Sequence, residues 1–273
     1  MKISAEKIIR TPPRSQHLSA PEKPAVLKTA SPGATPSTGE RISIVIPVRN
    51  EAENLPQLLH SLEHLPVAEL ILVDGGSSDD SLFLLQSWAA HSNTDSKNAY
   101  RRILRKTRPG RARQMNAGAK QATGDILLFL HADTRLPAEG IALILETMKN
   151  RTLLGGAFRL HIASKHPFLL WVCWIANLRS VYWKLPYGDQ AFFVRRTVFE
   201  AIGGYPDLPL MEDVALIRRL KKEGRIVLLK KTVSTSARRW RRQGYYFTSF
   251  RNMLLLGLYF AGVSPKRLAK WYD

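Results

Sequence analysis

The sequence predicts an α/β domain built on a doubly wound, mostly parallel β-sheet. Short runs of β-branched and leucine residues have the composition of buried strands. They alternate with stretches that carry apolar residues every three or four positions, as amphipathic helices do. Because strands that alternate with helices of this length are joined by right-handed crossovers, we expect them to lie parallel in one sheet.

The order of elements begins with the strand Ile42 to Ile46, which Pro47 is expected to end. A helix follows, with Asn54 as its predicted N-cap and Gln57 at the capping-box position. The later predicted elements are the strand Glu69 to Val73, the helix Asp80 to Ala90, the helix Arg111 to Gln121, the strand Ile126 to Leu130 and the helix Val214 to Leu220. Ligands of such sheets bind at the carboxyl ends of the strands.

Three parts of the chain differ in composition. Residues 1–40 are rich in Pro, Ser, Thr and Lys with little apolar periodicity, which predicts a disordered tail. Residues 41–235 carry the strand and helix pattern and are predicted to form one domain. Residues 236–273 are predicted to form a basic, amphipathic helical segment. With 273 residues and 45% hydrophobic content, the chain can bury a core of ordinary size.

The formal net charge of +19 predicts attraction to an anionic partner: nucleic acid, a phospholipid surface or phosphorylated small molecules. Solvated surface charge is the alternative. Cys173 is the single cysteine, which excludes an intramolecular disulfide and a Cys-rich zinc site, and we expect it to be a buried packing residue. No apolar run reaches the roughly 18 residues of a spanning helix. We therefore expect a cytoplasmic protein, either soluble or peripheral on the inner membrane face.

Acidic and imidazole side chains follow the predicted strands. Glu51 and Asp74 can accept hydrogen bonds from a ribose or a base, although acids before helices also act as caps. His131 and Asp133 are expected to point to the same side of an extended chain, where they can bind a divalent cation together with substrate phosphates. A hydrogen-bonded core position is the alternative for His131.

A pair of carboxylates, Glu212 and Asp213, precedes the last predicted helix of the domain. Acids at a helix start can simply interact with the helix dipole, so spacing leaves their role open. Taken in order, the motifs resemble family 2 glycosyltransferases of the GT-A fold, and the resemblance spans Ile42 to about Trp240. The motifs that carry it are Pro47 to Glu51, Val73 to Asp79, Ala117 to Asp125, Leu130 to Asp133 and Glu212-Asp213.

Two further segments, Gly110 to Gly118 and Gly155 to Leu160, look most like a bacterial subgroup called radical-SAM/selenodomain-associated transferases. The family resemblance implies an inverting, hexosyltransferase-type enzyme that moves a sugar from a nucleotide-diphosphate donor to a hydroxyl acceptor with Mn²⁺ or Mg²⁺. It implies Asp213 as the base, supported by Glu212, and Asp133 with His131 as metal ligands. The residues it implies for the donor are Pro47, Asn50, Glu51, Asp74, Arg111, Gln114, Asp133 and Arg239, and those for the acceptor are Asp189 and Trp240.

This sequence departs from the family pattern at two points. His131 replaces the first acid of the family's Asp-x-Asp motif, which leaves the identity of the metal open. The segment Ser236 to Trp240 replaces the Gln-x-x-Arg-Trp motif of processive members, so synthesis of long polymers is not expected.

Three rival functions fit the sequence less well. A sugar nucleotidyltransferase would need a Gly-rich phosphate loop after the first strand, and Val48 to Asn54 contains no glycine. A dehydrogenase is disfavoured because no Gly-x-Gly-x-x-Gly follows a strand. A non-catalytic nucleic-acid-binding or membrane-surface protein would explain the charge, but it leaves the acids at the strand ends without a role. We expect no nucleic-acid partner, and we expect an acceptor that is lipid-linked at an anionic membrane surface or soluble.

Overall fold

The computed structural model describes residues 39–90 and 100–272, in which helices cover both faces of an eight-stranded sheet. The predicted tail, residues 1–38, lies outside the described residues. The strands β1 to β8 are Ile42–Val48, Glu69–Asp74, Arg101–Lys106, Ile126–Phe129, Thr134–Arg135, Leu153–Ala163, Phe192–Arg195 and Arg225–Ser236. The helices α1 to α10 are Leu55–Leu62, Ser81–Ala90, Arg111–Ala119, Gly140–Met148, Pro167–Tyr182, Arg196–Ala201, Glu212–Glu223, Arg238–Gln243, Tyr245–Phe260 and Pro265–Tyr272, and a 3₁₀ helix spans Gly188–Gln190.

The strand order across the sheet is β3-β2-β1-β4-β7-β6-β8-β5. The first four of these strands are parallel neighbours, whereas β7 pairs antiparallel with both β4 and β6. Beyond β7, β6 and β8 are parallel, and the short β5 is antiparallel to β8. The predicted mostly parallel α/β fold is confirmed. Because β2, β1 and β4 are adjacent and parallel, the polar residues that follow them meet at one edge of the sheet.

Strand β1 shows how the sequence builds two core layers. Ile44 and Ile46 pack in a buried cluster with α1, α2 and α4, while Val45, which points to the opposite face, packs in a second cluster with α3 and α7. Gly118 lets α3 approach this second face closely, because a β-carbon there would collide with Val45. A strand buried on both faces has to be apolar at every position, as this one is apart from Ser43.

The prediction that Pro47 ends the first strand is wrong, since β1 continues to Val48. Along a parallel strand, successive residues direct their backbone polar groups to alternate neighbours. The carbonyl of Val48 accepts from Gly75 on the β2 side, so Pro47 faces the β4 side. There the pairing with β4 ends at Val45, and the missing N–H of Pro47 therefore costs no ladder hydrogen bond.

The C-terminal helices α8 to α10 follow directly after β8. A third buried cluster joins β6, α5 and α8 and contains Cys173, which confirms its predicted burial, while half-buried Trp240 and Tyr245 pack against it. The division into a domain of residues 41–235 and a segment of residues 236–273 stays a prediction.

Candidate functional site

The loops after β1 and β2 are tied to each other by Asn50. Its side-chain oxygen accepts hydrogen bonds from Ser78 N at 2.8 Å and from Ser78 Oγ at 3.3 Å, and its own N–H donates to Ser77 Oγ at 3.1 Å. Asn50 has a φ of 53°, a left-handed conformation that asparagine adopts more readily than most residues. Asn50 therefore shapes the nucleotide-side loops through contacts within the protein.

Asp74 and Gln114, both predicted to contact the donor, are engaged within the protein. Asp74 is buried, and its carboxylate accepts from Gly76 N at 3.0 Å and from the hydroxyl and N–H of Ser77 at 2.6 and 3.1 Å. The amide of buried Gln114 donates to the carbonyls of Val48 and Val73, both at 2.8 Å. Gln114 thus bridges the ends of β1 and β2, and its role toward a donor stays a prediction.

Glu51 forms an ion pair with a residue from the far end of the chain. Its Oε2 lies 2.7 Å from Arg238 Nη2, and the second terminal nitrogen of Arg238 lies 3.6 Å from Glu53 Oε2. Asn54 occupies the N-cap position of α1, but its side chain makes no capping bond and instead donates to Glu51. The first turn of α8 therefore covers the loop on which the nucleotide-binding prediction rests.

His131 and Asp133 do not lie on an extended chain, so the reasoning from strand alternation was wrong. β4 ends at Phe129, and the segment turns, with Thr134 N donating to the carbonyl of His131 at 3.0 Å. Burial and the positive charge of Arg111 lower the pKa of His131 to about 4, although Asp133 and Asp213 oppose this shift. Nε2 of His131 is buried and has no hydrogen-bond partner within residues 39–90 and 100–272. The imidazole is therefore neutral at physiological pH.

The carboxylate pair at the start of α7 divides into one buried and one partly exposed group. Glu212 is 2% exposed and lies 3.3 Å from Arg111 Nη1. Burial raises the pKa of Glu212, and Arg111 counteracts that effect. Asp213 accepts from Gly188 N at 2.8 Å through Oδ2, and a β-carbon on Gly188 would lie 3.1 Å from His131 Nε2. Asp213 and His131 thus converge on Gly188.

Asp189, predicted to contact the acceptor, lies in the 3₁₀ helix beside this centre. Burial raises the pKa of Asp189 to about 6; the charge of Arg179 opposes this and that of Asp213 adds to it. Its Oδ1 is buried without a hydrogen-bond partner in the described part of the chain. The guanidinium carbon of Arg179 lies 3.3 Å from the ring centroid of Tyr187, in a cation–π arrangement.

Arg239 and Trp240 belong to α8, which reaches the same edge of the sheet. The Arg239 guanidinium lies 5.2 Å from the ring centroid of Tyr272, and its electrostatic neighbours include Arg111, Asp133, Arg251 and Glu51. The indole N–H of Trp240 donates to Ser249 Oγ at 3.1 Å, which ties α8 to α9. Arg239 therefore faces the site, whereas the polar atom of Trp240 is used within the protein.

The structure brings together Asp213, Glu212, Arg111, His131, Asp133, Asp189 and Arg239. Sequence reasoning missed Arg179, Tyr187 and Arg238, which come from other elements and carry no local motif. The absence of any other charge from α5 was the one available signal for Arg179.

The comparisons with known proteins agree with this geometry. A family model described as "Glycosyl transferase family 2" matches residues 43–203. An undecaprenyl-phosphate 4-deoxy-4-formamido-L-arabinose transferase of Proteus mirabilis (strain HI4320) is 40% identical over 112 residues, which cover 39% of this chain and 33% of that protein. The enzyme of the same name from Pseudomonas fluorescens (strain SBW25) is 40% identical over 110 residues, covering 38% and 31%. The aligned region spans about a third of these relatives' length.

Two solved structures resemble the fold. A mannosyltransferase from Pyrobaculum calidifontis, in complex with GDP-Man and Mn²⁺, superposes with a TM-score of 0.61 at 19% identity, over 80% of this chain and 63% of that one. Residues 1–349 of TarS from S. aureus, in complex with UDP, give 0.57 at 17% identity, over 72% and 60%. Both likenesses show the fold, and the more specific bacterial subgroup stays a prediction. Because the family match takes in more than half of the 273 residues, this chain belongs to glycosyl transferase family 2, and its fold is the GT-A fold of the two neighbours.

Proposed function

We propose that this protein moves a sugar from a nucleotide-diphosphate donor to an acceptor hydroxyl in one inverting displacement, with Asp213 as the base. The observation that carries the proposal is the convergence of Asp213 and His131 on Gly188, just beyond the carboxyl end of β4. A single displacement needs one positioned base for the acceptor hydroxyl. Asp213 suits this role because the Gly188 N–H orients its carboxylate and leaves it partly exposed. Buried Glu212 forms an ion pair with Arg111 and supports Asp213.

The donor diphosphate is assigned to the polar edge next to this base. The guanidinium of Arg239 forms no ion pair within the described residues and lies in the field of Arg111 and Asp133, which suits a phosphate ligand. Glu51 and Asp74, on the loops after β1 and β2, are assigned to the nucleoside side. GDP-Man and UDP are bound by the two structural neighbours named above, which supports a nucleotide donor here.

His131 and Asp133 would hold a divalent cation on the donor. The fit rests on the buried Nε2 of His131, which lacks a protein partner in the described residues, and on a neighbouring carboxylate. In residues 39–90 and 100–272, no three His, Cys, Asp or Glu side chains form a group that could hold a metal ion alone, so phosphate oxygens would complete the ligand set. Imidazole beside carboxylate favours Mn²⁺ over Mg²⁺. When bound there, the cation would supply Lewis-acid stabilisation of the leaving diphosphate.

Thermal unfolding with UDP or GDP, with and without MnCl₂, tests the donor proposal. A ligand at a hundred times its Kd stabilises the native state by about 2.7 kcal/mol, which raises Tm by roughly 5–10 °C for a chain of this size. We expect such a shift with one of the nucleotides, larger with Mn²⁺ and abolished by EDTA. A Tm shift of this size with a random oligonucleotide, together with no shift for UDP or GDP, would contradict the proposal and favour the nucleic-acid alternative.

We also propose that the enzyme works at an anionic membrane surface. No helix in the described residues is long and apolar enough to span a membrane. The helices α5 and α9 nevertheless expose large apolar side chains, here called the aromatic face, and they touch through Phe168 and Tyr246, whose ring centroids are 4.5 Å apart. The exposed residues of this face are Leu170, Trp171, Trp174, Ile175, Leu178, Val181, Tyr182, Tyr246, Phe247, Phe250, Met253, Leu254 and Phe260. A helix that is apolar on its outer side requires a non-aqueous partner.

Charge complementarity favours anionic lipid as that partner. Residues 224–272 contain eleven Lys and Arg residues and no acidic residue, and residues 160–188 also contain no acidic residue. Each basic group near a negatively charged leaflet contributes about 1 kcal/mol of attraction. The segments that carry the aromatic face thus contain basic residues and no acidic ones, which is the pattern of an interfacial helix pair.

Cosedimentation with vesicles tests the membrane proposal. We expect binding that rises with the phosphatidylglycerol fraction, falls with salt and is weakened in the variants Trp174→Asp and Phe250→Asp. Phe83→Asp is the matched control, because Phe83 is exposed on α2 outside the aromatic face. Leu255 is unsuitable as a target, since it is 2% exposed and a charge there would destabilise the fold. Equal binding of the Trp174 and Phe83 variants would refute the proposal.

A further inference from the structure

Four buried polar atoms around Gly188 lack hydrogen-bond partners in the part of the chain that the structure describes. They are His131 Nε2, Arg179 Nε, Tyr187 Oη and Asp189 Oδ1. An unsatisfied buried polar group costs about 1–3 kcal/mol, so such groups rarely gather without a reason. With His131 assigned to the metal side, Arg179, Tyr187 and Asp189 remain without a role. Their position next to Asp213 indicates a ligand on the acceptor side.

Arg179 is the single charged residue of α5. Its guanidinium lies over the Tyr187 ring and forms no ion pair within residues 39–90 and 100–272, although the charges of Asp189 and Asp213 both act on it. Opposite charges that influence each other without direct contact leave room for a group between them. An anionic ligand would give Arg179 the partner that the protein does not supply.

Side-chain contacts on the buried stripe of α5 hold Arg179 in place. Asn177 bonds both the N–H and the carbonyl of Leu160 in β6, at 2.8 and 2.9 Å. One residue after Arg179, Ser180 donates to Gln190 Oε1 at 2.9 Å, and Gln190 also accepts from Tyr187 N at 2.9 Å. Helix α5 and the segment of residues 187–190 are therefore fixed to each other, and the guanidinium, phenol and carboxylate form a prearranged set.

We propose that Arg179, Tyr187 and Asp189 form a subsite beside Asp213 that binds the phosphate monoester of an amphiphilic acceptor. The subsite offers proton donors from Arg179 and Tyr187 and one acceptor, Asp189. A singly protonated phosphate monoester is complementary, with several acceptor oxygens and one P–OH donor. An ionised carboxylate or a sulfate ester has no proton for Asp189.

The aromatic face gives the reason for an amphiphile. Arg179 is directed inward from the same helix that exposes Trp171, Trp174 and Leu178 outward. When the phosphate of such an acceptor is bound at Arg179, its apolar chain can run along α5 into the lipid. This inference rests on the proposed glycosyltransfer to an acceptor next to Asp213, and it assigns that acceptor's chemical class. The acceptor hydroxyl is then the P–OH of the monoester: its oxygen bonds the anomeric carbon as the bond to the nucleoside diphosphate breaks, and its proton passes to the adjacent carboxylates, with Asp213 as the base.

Equilibrium binding of farnesyl phosphate in detergent micelles, compared with farnesol, tests the subsite. A charge-assisted hydrogen bond strengthens ligand binding by about tenfold or more. Farnesol lacks the phosphate that forms such bonds, so we expect farnesyl phosphate to bind at least ~10-fold more tightly. Arg179→Gln should remove that preference, and Arg179→Lys should restore part of it. Arg219→Gln is the matched control, because Arg219 is an exposed arginine of α7 that belongs to neither the subsite nor the aromatic face.

Two further variants keep the test valid if Arg179→Gln fails to fold. Tyr187→Phe removes only the unpartnered hydroxyl and Asp189→Asn only the charge, and both should weaken farnesyl phosphate severalfold. Two further probes represent the alternative ligands: inorganic phosphate represents a free anion, and phosphatidylglycerol vesicles represent a bulk lipid headgroup. If binding of either probe depends on Arg179 as strongly as binding of farnesyl phosphate does, the assignment is overturned. UDP or GDP binding is measured in every variant. If the subsite variants bind nucleotide normally and their affinity for farnesyl phosphate is unchanged, the subsite alone is refuted. If the wild type binds neither UDP nor GDP, the donor proposal is refuted.

Discussion

The substitution Asp213→Asn separates catalysis from binding at this site. Asparagine retains an oxygen that can accept the 2.8 Å hydrogen bond from Gly188 N, and the Arg111–Glu212 contact is not altered. The fold and donor binding should therefore persist. What is lost is the proton acceptor, and a general base contributes about 10²–10⁴-fold. We expect sugar transfer to fall by at least ~100-fold, which corresponds to about 2.7 kcal/mol of activation free energy.

The assay compares turnover and donor affinity in the same preparations. The donor is the nucleotide sugar that most raises Tm, and transfer to a polyprenyl phosphate in detergent is followed by release of the nucleoside diphosphate. Asp207→Asn is the control, because Asp207 is an exposed carboxylate that pairs with Arg113 outside the site. Turnover of the Asp213 variant within a fewfold of wild type would refute the assignment of the base. A parallel loss of donor affinity would instead mean that Asp213 holds the donor.

Two other predictions concern the metal and the amino terminus. Asp133→Ala should abolish the Mn²⁺-dependent part of nucleotide binding, whereas His131→Asp should keep or improve use of Mg²⁺, because a carboxylate is the harder ligand; donor affinity of the wild type that is unchanged by EDTA contradicts both. Removal of residues 1–38 should leave Tm unchanged, but Glu40→Ala in the shortened chain should lower it by several degrees, because Glu40 pairs with the largely buried guanidinium of Arg195 at 2.7 Å. Equal melting temperatures of the two shortened chains would show that this ion pair does not stabilise the fold.

The parts of the fold that the sequence predicted are those whose residues act locally. Strand β4 is apolar throughout, β1 is apolar apart from Ser43, and β2 is apolar between Glu69 and Asp74, because both faces are covered, and composition alone reveals them. Since these strands are parallel neighbours, the polar residues that follow them lie at the same edge of the sheet. Asp213 was singled out as the base because the resemblance implies it, and the structure confirms only that the carboxylate pair stands at the start of α7.

The residues that sequence reasoning missed or misjudged depend on contacts between distant segments. Arg238 meets Glu51 across 187 positions of the chain, and Arg179 reaches Tyr187 only because α5 packs on β6. The family resemblance assigned Gln114 to the donor, and the structure shows that its amide also donates to two backbone carbonyls, those of Val48 and Val73. Polarity alone does not distinguish a ligand contact from an internal one. That distinction requires knowing which carbonyls lie within reach.

Backbone strain around the site leads to a last prediction. Met211, which precedes Glu212, has a φ of 64°, and exposed Lys184 has a φ of 48°. Non-glycine residues in this left-handed region cost about 1–2 kcal/mol, so Lys184→Gly should stabilise the fold by up to about 1 kcal/mol without changing turnover. At position 211 glycine relieves the same strain, but it also frees the chain that orients Asp213. Met211→Gly should therefore lower kcat severalfold with donor affinity unchanged, because strain held at a functional site serves to preorganise it. If both glycine variants have wild-type kcat, the left-handed entry into α7 does not position the base.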